Sequence, residues 1–121
     1  MAQDQLISDA NYPSLPIRVE VSGIPFEGLA LLDTGFTGEL VLPESVLDGG
    51  IGIPVEHTDI EVGDNRIVNS PTYLGSLEIL GFSHIPGVVI NVIGDEFIIG
   101  RGILDLYSVT FEYGLRVIVS L

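Results

Sequence analysis

A carboxylate at the end of an apolar strand is the feature of this sequence best suited to chemistry. The apolar residues 30–32 run directly into Asp33, Thr34 and Gly35, and Gly38 follows. Glycines allow backbone groups to approach a side chain closely, and Thr34 is placed to hydrogen-bond across the turn and hold the carboxylate. A carboxylate held in this way suits general acid–base catalysis. The same tripeptide also occurs in ordinary turns, so the motif alone leaves a purely structural role open.

A second apolar run, later in the chain, also ends at a glycine. Ile98 and Ile99 lead into Gly100 and Arg101, and a short helix is predicted to follow. Arginine is the cation best suited to buried pairing, so we expect Arg101 to form a structural ion pair near the Asp33 turn. Direct contact between Arg101 and a substrate is the alternative.

The two motifs, in this order, resemble those of the retropepsin-like aspartic proteases, and the resemblance extends from Ile17 to Val119. In that family an Asp-Thr/Ser-Gly loop follows a hydrophobic strand, and a later hydrophobic-hydrophobic-Gly element packs beside it. The resemblance implies that Asp33 is catalytic and that Thr34 and Gly35 form the active-site loop. It also implies that Ile98, Ile99, Gly100 and Arg101 support the loop and that Phe36, beside the loop, contacts substrate. The turn of a flap over the cleft is implied at Gly63, Asp64, Asn65 and Arg66.

The resemblance further implies a mechanism with two carboxylates. Two like charges a few Å apart cannot both be ionised, so the pair shares one proton. The ionised member takes a proton from a water molecule, and the protonated member hydrogen-bonds the scissile carbonyl. The sequence contains a single Asp-Thr/Ser-Gly motif, so an active protease must be a homodimer with one Asp33 per subunit. No cofactor and no metal are expected.

Many short strands must position these residues, and their patterns predict an all-β fold. Residues 17–22 alternate apolar and polar side chains, which is typical of a half-buried strand. The other predicted elements are strands at 26–32, 39–42, 74–80, 88–93 and 97–100, hairpins at 58–72 and 109–119, and helical segments at 43–47 and 101–107. Such spacing favours a closed barrel or a sandwich. The resemblance implies a closed retropepsin-like β-barrel with one short helix near the C-terminus.

Composition excludes several classes of function. The chain has 121 residues, with 17 Asp and Glu against 4 Arg and no Lys, for a net charge of −13. This balance disfavours nucleic acid and anionic membranes as partners, because nothing would neutralise a run of phosphates. The absence of Cys excludes disulfide scaffolds, zinc ribbons and Cys nucleophiles. His57 and His84 form no metal-binding or triad pattern.

The chain length fits one domain, which we place at residues 15–121 after a flexible N-terminal arm at residues 1–14. The polar, acidic start lacks the order of a signal peptide, and no apolar stretch is long enough to span a bilayer, so a cytoplasmic location is expected. The favoured function is a homodimeric endopeptidase acting on a peptide or protein substrate. Two alternatives are a processing enzyme of the same fold with one specific partner, and a non-catalytic barrel that binds peptide or dimerises.

Overall fold

The computed structural model describes residues 5–8, 13–61 and 64–121, which are mostly β-structure. The strands are β1 (Gln5–Ser8), β2 (Ser14–Val21), β3 (Ile24–Leu32), β4 (Leu40–Leu42), β5 (Glu56–Glu61), β6 (Ile67–Ile79), β7 (Ser83–Val92), β8 (Phe97–Ile99), β9 (Ser108–Glu112) and β10 (Arg116–Ser120). The helices within these ranges are a 3₁₀ helix (Glu44–Gly49) and α1 (Arg101–Leu104). No helix of the described residues has the length and apolar character needed to cross a membrane.

Six of the strands close into a mixed barrel. In order around it they are β2, β3, β8, β4, β7 and β6, and β6 pairs with β2 to complete the ring. Strand β5 pairs with β6 as a hairpin outside the ring. Most neighbours are antiparallel, but β8 runs parallel to β3, and β4 runs parallel to β7. The predicted closed, all-β barrel is therefore confirmed.

Apolar side chains that alternate along the barrel strands form the core. Ile17, Val19 and Val21 of β2 are at most 1% exposed, whereas Glu20 between them is on the surface. The same two-residue period sends alternate side chains of the neighbouring strands inward. Other fully buried side chains include Leu15, Leu40, Leu42, Leu77, Ile79, Ile90 and Ile99. Burial of each such side chain stabilises the fold by about 1.5–3 kcal/mol.

Two elements differ from their predicted extents. Residues 67–72 and 74–80, predicted as separate strands, form the single 13-residue strand β6. Its first part pairs with β5 and its second part with β2, so one long strand serves both the hairpin and the barrel. The helix predicted at 101–107 ends at Leu104, because Leu106 and Tyr107 donate their backbone hydrogen bonds three residues back instead of four.

The two ends of the chain meet in a smaller sheet. Its order is β1, β10 and β9, with antiparallel pairing throughout. Strand β1 comes from the segment predicted as an N-terminal arm, and its pairing with β10 joins that segment to the C-terminal strand. Residues 1–4 and 9–12 of the predicted arm lie outside the described residues.

Candidate active site

The parallel pairing of β3 and β8 places Asp33 beside the second sequence motif. Leu32 pairs with Ile99, so the next residues of the two strands, Asp33 and Gly100, leave the barrel at the same edge. The N–H of Asp33 donates to the carbonyl of Ile99 at 2.9 Å, and the carbonyl of Asp33 accepts from the N–H of Phe36 at 3.2 Å. Main-chain hydrogen bonds therefore fix Asp33 on both sides.

The carboxylate of Asp33 is held by its own turn. The N–H of Gly35 donates to Oδ1 at 2.8 Å. Thr34, predicted to hold this carboxylate, is exposed and makes no hydrogen bond through its side chain within the described residues. A main-chain donor takes that role instead, and Oδ2 accepts no hydrogen bond from the described part of the chain. One oxygen is thus fixed, and the other is available to an external group.

The loop from Asp33 to Glu39 crosses over the end of β8, because β8 lies between β3 and β4 in the barrel. Three main-chain hydrogen bonds fasten the loop to the residues that follow β8. The donors are Gly100, Arg101 and Gly102, and the acceptors are the carbonyls of Glu39, Phe36 and Gly38, at 2.9, 2.8 and 2.9 Å respectively. The second motif therefore contacts the Asp33 loop through its main chain.

Gly100 leaves no room for a side chain beneath this loop. A Cβ at this position would overlap the carbonyl oxygen of Gly38 and would lie 2.7 Å from that of Phe36. It would also lie 2.5 Å from Cδ2 of the Phe36 ring. Two backbone segments approach each other here more closely than any residue with a Cβ permits, so glycine is required.

Asp33 lines a cleft with a volume of about 890 Å³. The half-buried side chains of Phe36 and Ile98 line the same cleft, together with Val41 and Ile93. A volume of this size lies within the range of ligand-binding clefts, and a largely apolar wall with a few polar groups is typical of them. Phe36, predicted to contact substrate, therefore lies in the same cavity as the carboxylate.

The β5–β6 hairpin, predicted as a flap, contributes residues to the cleft. Its turn includes Asp64, Asn65 and Arg66, whereas Gly63 lies outside the described residues. Asn65 has a φ of 63°, in the left-handed region that Asn tolerates better than most residues, and it lines the cleft. Arg66 pairs with Asp64 at 2.8 Å on the surface of the turn. A covering movement of this hairpin stays a prediction.

Ile98 and Ile99 divide their roles between the cleft and the core. Ile98 is half-buried and lines the cleft, whereas Ile99 is 0% exposed and supplies the carbonyl that fixes Asp33. Arg101 pairs with Asp105, but at 3.5 Å and with the two side chains 53% and 63% exposed. Arg101 therefore forms an ion pair at the surface and not the buried pair expected, because Ile103 and Leu104 are the buried residues of α1 while Arg101 and Asp105 are exposed.

A polar network in the cleft wall goes beyond what the sequence predicts. Thr72 is 1% exposed, and its Oγ1 lies 2.7 Å from Oγ1 of Thr58. Nδ2 of Asn91 donates to the same Thr72 oxygen at 3.2 Å. Nearby, Oγ of Ser70 accepts from the N–H of Val92 at 2.9 Å. The one available signal is Asn91 itself, a polar residue inside an otherwise apolar segment of β7.

Titratable side chains outside the cleft form no metal site in the part of the chain that the structure describes. No group of three or more His, Asp or Glu side chains there is arranged to hold a metal ion. His57 on β5 and His84 on β7 are both exposed.

Comparison with known proteins identifies the fold. No family model matches the chain, and no curated protein matches it in sequence. Its structure is similar to the crystal structure of a retropepsin-like aspartic protease from Rickettsia conorii, with a TM-score of 0.60 and 16% sequence identity. The match covers 95% of this chain and 89% of that protein. The chain therefore has the fold of a retropepsin-like aspartic protease.

Proposed function

We propose that this chain is an aspartic endopeptidase whose catalytic carboxylates are two copies of Asp33, one from each subunit of a homodimer. The observation that carries the proposal is the Asp33 carboxylate, fixed by Gly35 and lining a cleft of a size that suits an extended peptide. The likeness in fold to a retropepsin-like aspartic protease supports it.

The proposed reaction needs one shared proton between the two Asp33 side chains, since two close carboxylates cannot both be ionised. The ionised member takes a proton from a water molecule, which attacks the carbon of the scissile carbonyl. The protonated member donates its proton to the carbonyl oxygen, giving a tetrahedral intermediate. Collapse of the intermediate breaks the C–N bond as a proton passes to the leaving nitrogen. The N–H of Gly35 keeps Oδ1 oriented throughout.

The dimer follows from the number of motifs. The 121 residues contain one Asp-Thr/Ser-Gly sequence, so one chain supplies one such carboxylate. Thr34 and Gly35 are exposed at the tip of the turn and are accessible to a second copy. A two-fold axis beside this turn would bring the two Asp33 side chains together through the same surface on both subunits.

Asp33→Asn tests the catalytic assignment. The substitution keeps the shape and the acceptor for the Gly35 N–H but removes the group that deprotonates water. We expect loss of peptide hydrolysis with the fold and the dimer intact, as measured by a cleavage assay and by sedimentation. Asp48→Asn, at an exposed position on the 3₁₀ helix, is the matched control and should retain activity. Activity of Asp33→Asn above a few per cent of the wild-type value would reject the proposal.

Mixing the wild-type chain with Asp33→Asn tests the shared site directly. A mixed dimer holds a single Asp33, so each wild-type chain that pairs with the variant is lost to catalysis. At equal amounts and full association, random pairing leaves about half of the activity of the same wild-type chains alone. Activity that does not change as the variant is added would contradict a site shared between two subunits.

A further inference from the structure

The cleft and a depression that adjoins it are acidic. The depression has a volume of about 270 Å³ and shares Ile93 and Ile98 with the cleft. Carboxylates line both: Asp33, Asp59 and Glu61 in the cleft, and Glu44, Asp95 and Glu96 in the depression. Arg66 is the one cation among the described residues that lines either, and it already pairs with Asp64 at 2.8 Å. A bound peptide would therefore meet a surface with a clear excess of negative charge.

Asn91 is an independent indication of what the cleft binds. It is 6% exposed and lines the cleft, while its neighbours Ile90 and Val92 point into the core on the other face of β7. Its Nδ2 donates to Oγ1 of Thr72, and its Oδ1 accepts no hydrogen bond from the described part of the chain. Oδ1 is not among the fully buried atoms that lack a partner, so it retains accessible surface while the residue lines the cleft. An accessible acceptor on an otherwise buried side chain is suited to a donor that arrives with a ligand.

The amide of Asn91 is oriented by Thr72. Nδ2 of Asn91 donates to Oγ1 of Thr72 at 3.2 Å, and the Thr72 hydroxyl lies 3.4 Å from the carbonyl of Ser70 and 2.7 Å from Oγ1 of Thr58, either of which can take its proton. This arrangement leaves the oxygen of the Asn91 amide, not its nitrogen, for a ligand.

We propose that the cleft selects cationic peptide segments, with a Lys or Arg side chain of the substrate donating to Oδ1 of Asn91 while the carboxylates that line the cleft and the depression attract its charge. This inference rests on the proposed peptidase function and names its substrate class. A substrate ammonium or guanidinium supplies a donor to Oδ1 of Asn91 and a positive charge that the net negative charge of this lining favours. The long-range attraction also raises the rate of encounter, by about 10-fold or more at low salt.

Binding to the Asp33→Asn variant measures selectivity without cleavage. The probes are pairs of extended peptides that carry one Trp and differ only in Lys against Gln at a single position, scanned along the peptide. The chain contains no Trp, so emission from the peptide reports binding without background from the protein. We expect at least one position at which Lys binds about 10-fold more tightly, with the difference shrinking as salt rises from about 50 to 500 mM. Equal binding of Lys and Gln peptides at every position would overturn the proposal.

Substitutions locate the selectivity within the cleft. Asn91→Leu removes the acceptor at similar volume and should abolish the preference for Lys, whereas Asn91→Asp keeps an acceptor and should retain it. The double variant Asp59→Asn/Glu61→Gln should weaken the preference and its salt dependence. Glu20→Gln/Asp48→Asn makes the same charge change at exposed residues that do not line the cleft, and should leave both unchanged. Unfolding of each variant in denaturant is measured first, so that only folded protein is compared. A preference that falls equally in both double variants would overturn the assignment to the cleft.

Cleavage by the wild-type chain separates the two proposals. Hydrolysis of Lys and Gln peptides at equal kcat/KM, with equal binding to Asp33→Asn, would reject the cationic preference and leave the peptidase function standing. Selective binding of Lys peptides to both the wild-type chain and Asp33→Asn, with no cleavage at all, would reject the peptidase function and leave a cleft that binds cationic peptides.

Discussion

Gly100→Ala is the substitution for which the structure makes the sharpest quantitative prediction. The new Cβ would overlap the carbonyl oxygen of Gly38 and would lie 2.7 Å from the carbonyl oxygen of Phe36. Both oxygens belong to the main chain, and each accepts a hydrogen bond from the residues after β8, at 2.9 and 2.8 Å. The loop therefore cannot move away from the methyl group without stretching or breaking these bonds.

The expected cost combines crowding with lost hydrogen bonding. Overpacking in a close contact costs about 1–3 kcal/mol, and each of the two weakened hydrogen bonds adds about 1 kcal/mol. We therefore expect the free energy of unfolding to fall by about 3–5 kcal/mol, a large part of the 5–15 kcal/mol that is usual for a domain. The melting temperature should fall by about 15 °C, since each kcal/mol corresponds to about 4 °C at this size. The displaced Asp33 loop should also reduce kcat/KM by about 100-fold, because catalysis is sensitive to misplacement of about 1 Å.

Gly81→Ala is the matched control. Gly81 has a φ of 74°, and a Cβ there meets nothing within 4 Å, so the substitution tests backbone strain without crowding. It should cost about 1 kcal/mol and leave activity unchanged. Both variants are unfolded in urea at the same protein concentration, since a dimer's apparent stability depends on concentration. Equal destabilisation by the two substitutions would refute the argument that the Asp33 loop closes tightly over Gly100.

Three further predictions follow from other parts of the chain. Ser14 is 0% exposed, and its Oγ has no hydrogen-bond partner among the described residues. Ser14→Ala should therefore raise the free energy of unfolding by about 1 kcal/mol in urea titrations, and a loss of stability would contradict this. Within the described residues, strand β5 pairs only with β6 and lies outside the closed ring. Its amides should therefore exchange with solvent faster than those of residues 29–32, and their exchange should slow when a peptide inhibitor binds. Equal protection in the two segments, unchanged by inhibitor, would argue against a flap. The proposed dimer brings together two copies that each carry a net charge of −13. Their repulsion should make sedimentation at neutral pH show a stronger dimer as salt rises, and activity should peak on the acid side of neutrality, where protonation of surface carboxylates weakens that repulsion. A dimer weakened by salt or an alkaline activity maximum would contradict this reasoning.

Much of the barrel could be predicted because its strands carry a local signal. Ile17, Val19 and Val21 alternate with polar residues in the sequence, and the structure buries these three and leaves Glu20 on the surface. The length of β6 had no such signal. Its continuity depends on pairing with three different strands along its length, and a sequence pattern of a few residues does not contain that information.

The geometry of the Asp33 turn was predictable in outline but not in every hydrogen-bond partner. The turn at Asp33 follows from an apolar strand that ends in a carboxylate and glycine. Thr34 was the natural candidate to hold the carboxylate, since hydroxyl groups often hydrogen-bond within turns. The N–H of Gly35 is equally close in sequence and takes that role instead. The exposure of the Arg101 ion pair could not be predicted from the sequence either, because it depends on where α1 lies on the barrel.

One topological feature accounts for the position of the site. In a sheet of antiparallel neighbours, the ends of adjacent strands emerge at opposite edges, but β3 and β8 are parallel and both end at the same edge. Strand β4 begins at that edge too, since Leu40 pairs with Ile99 in the antiparallel sense. The loop that joins β3 to β4 must therefore pass over the end of β8. The main chain of this loop lies so close to the residue after β8 that only glycine fits at position 100. Asp33 is thus held by hydrogen bonds to main-chain groups of its own turn and of β8, and no side chain of the described residues donates to its carboxylate.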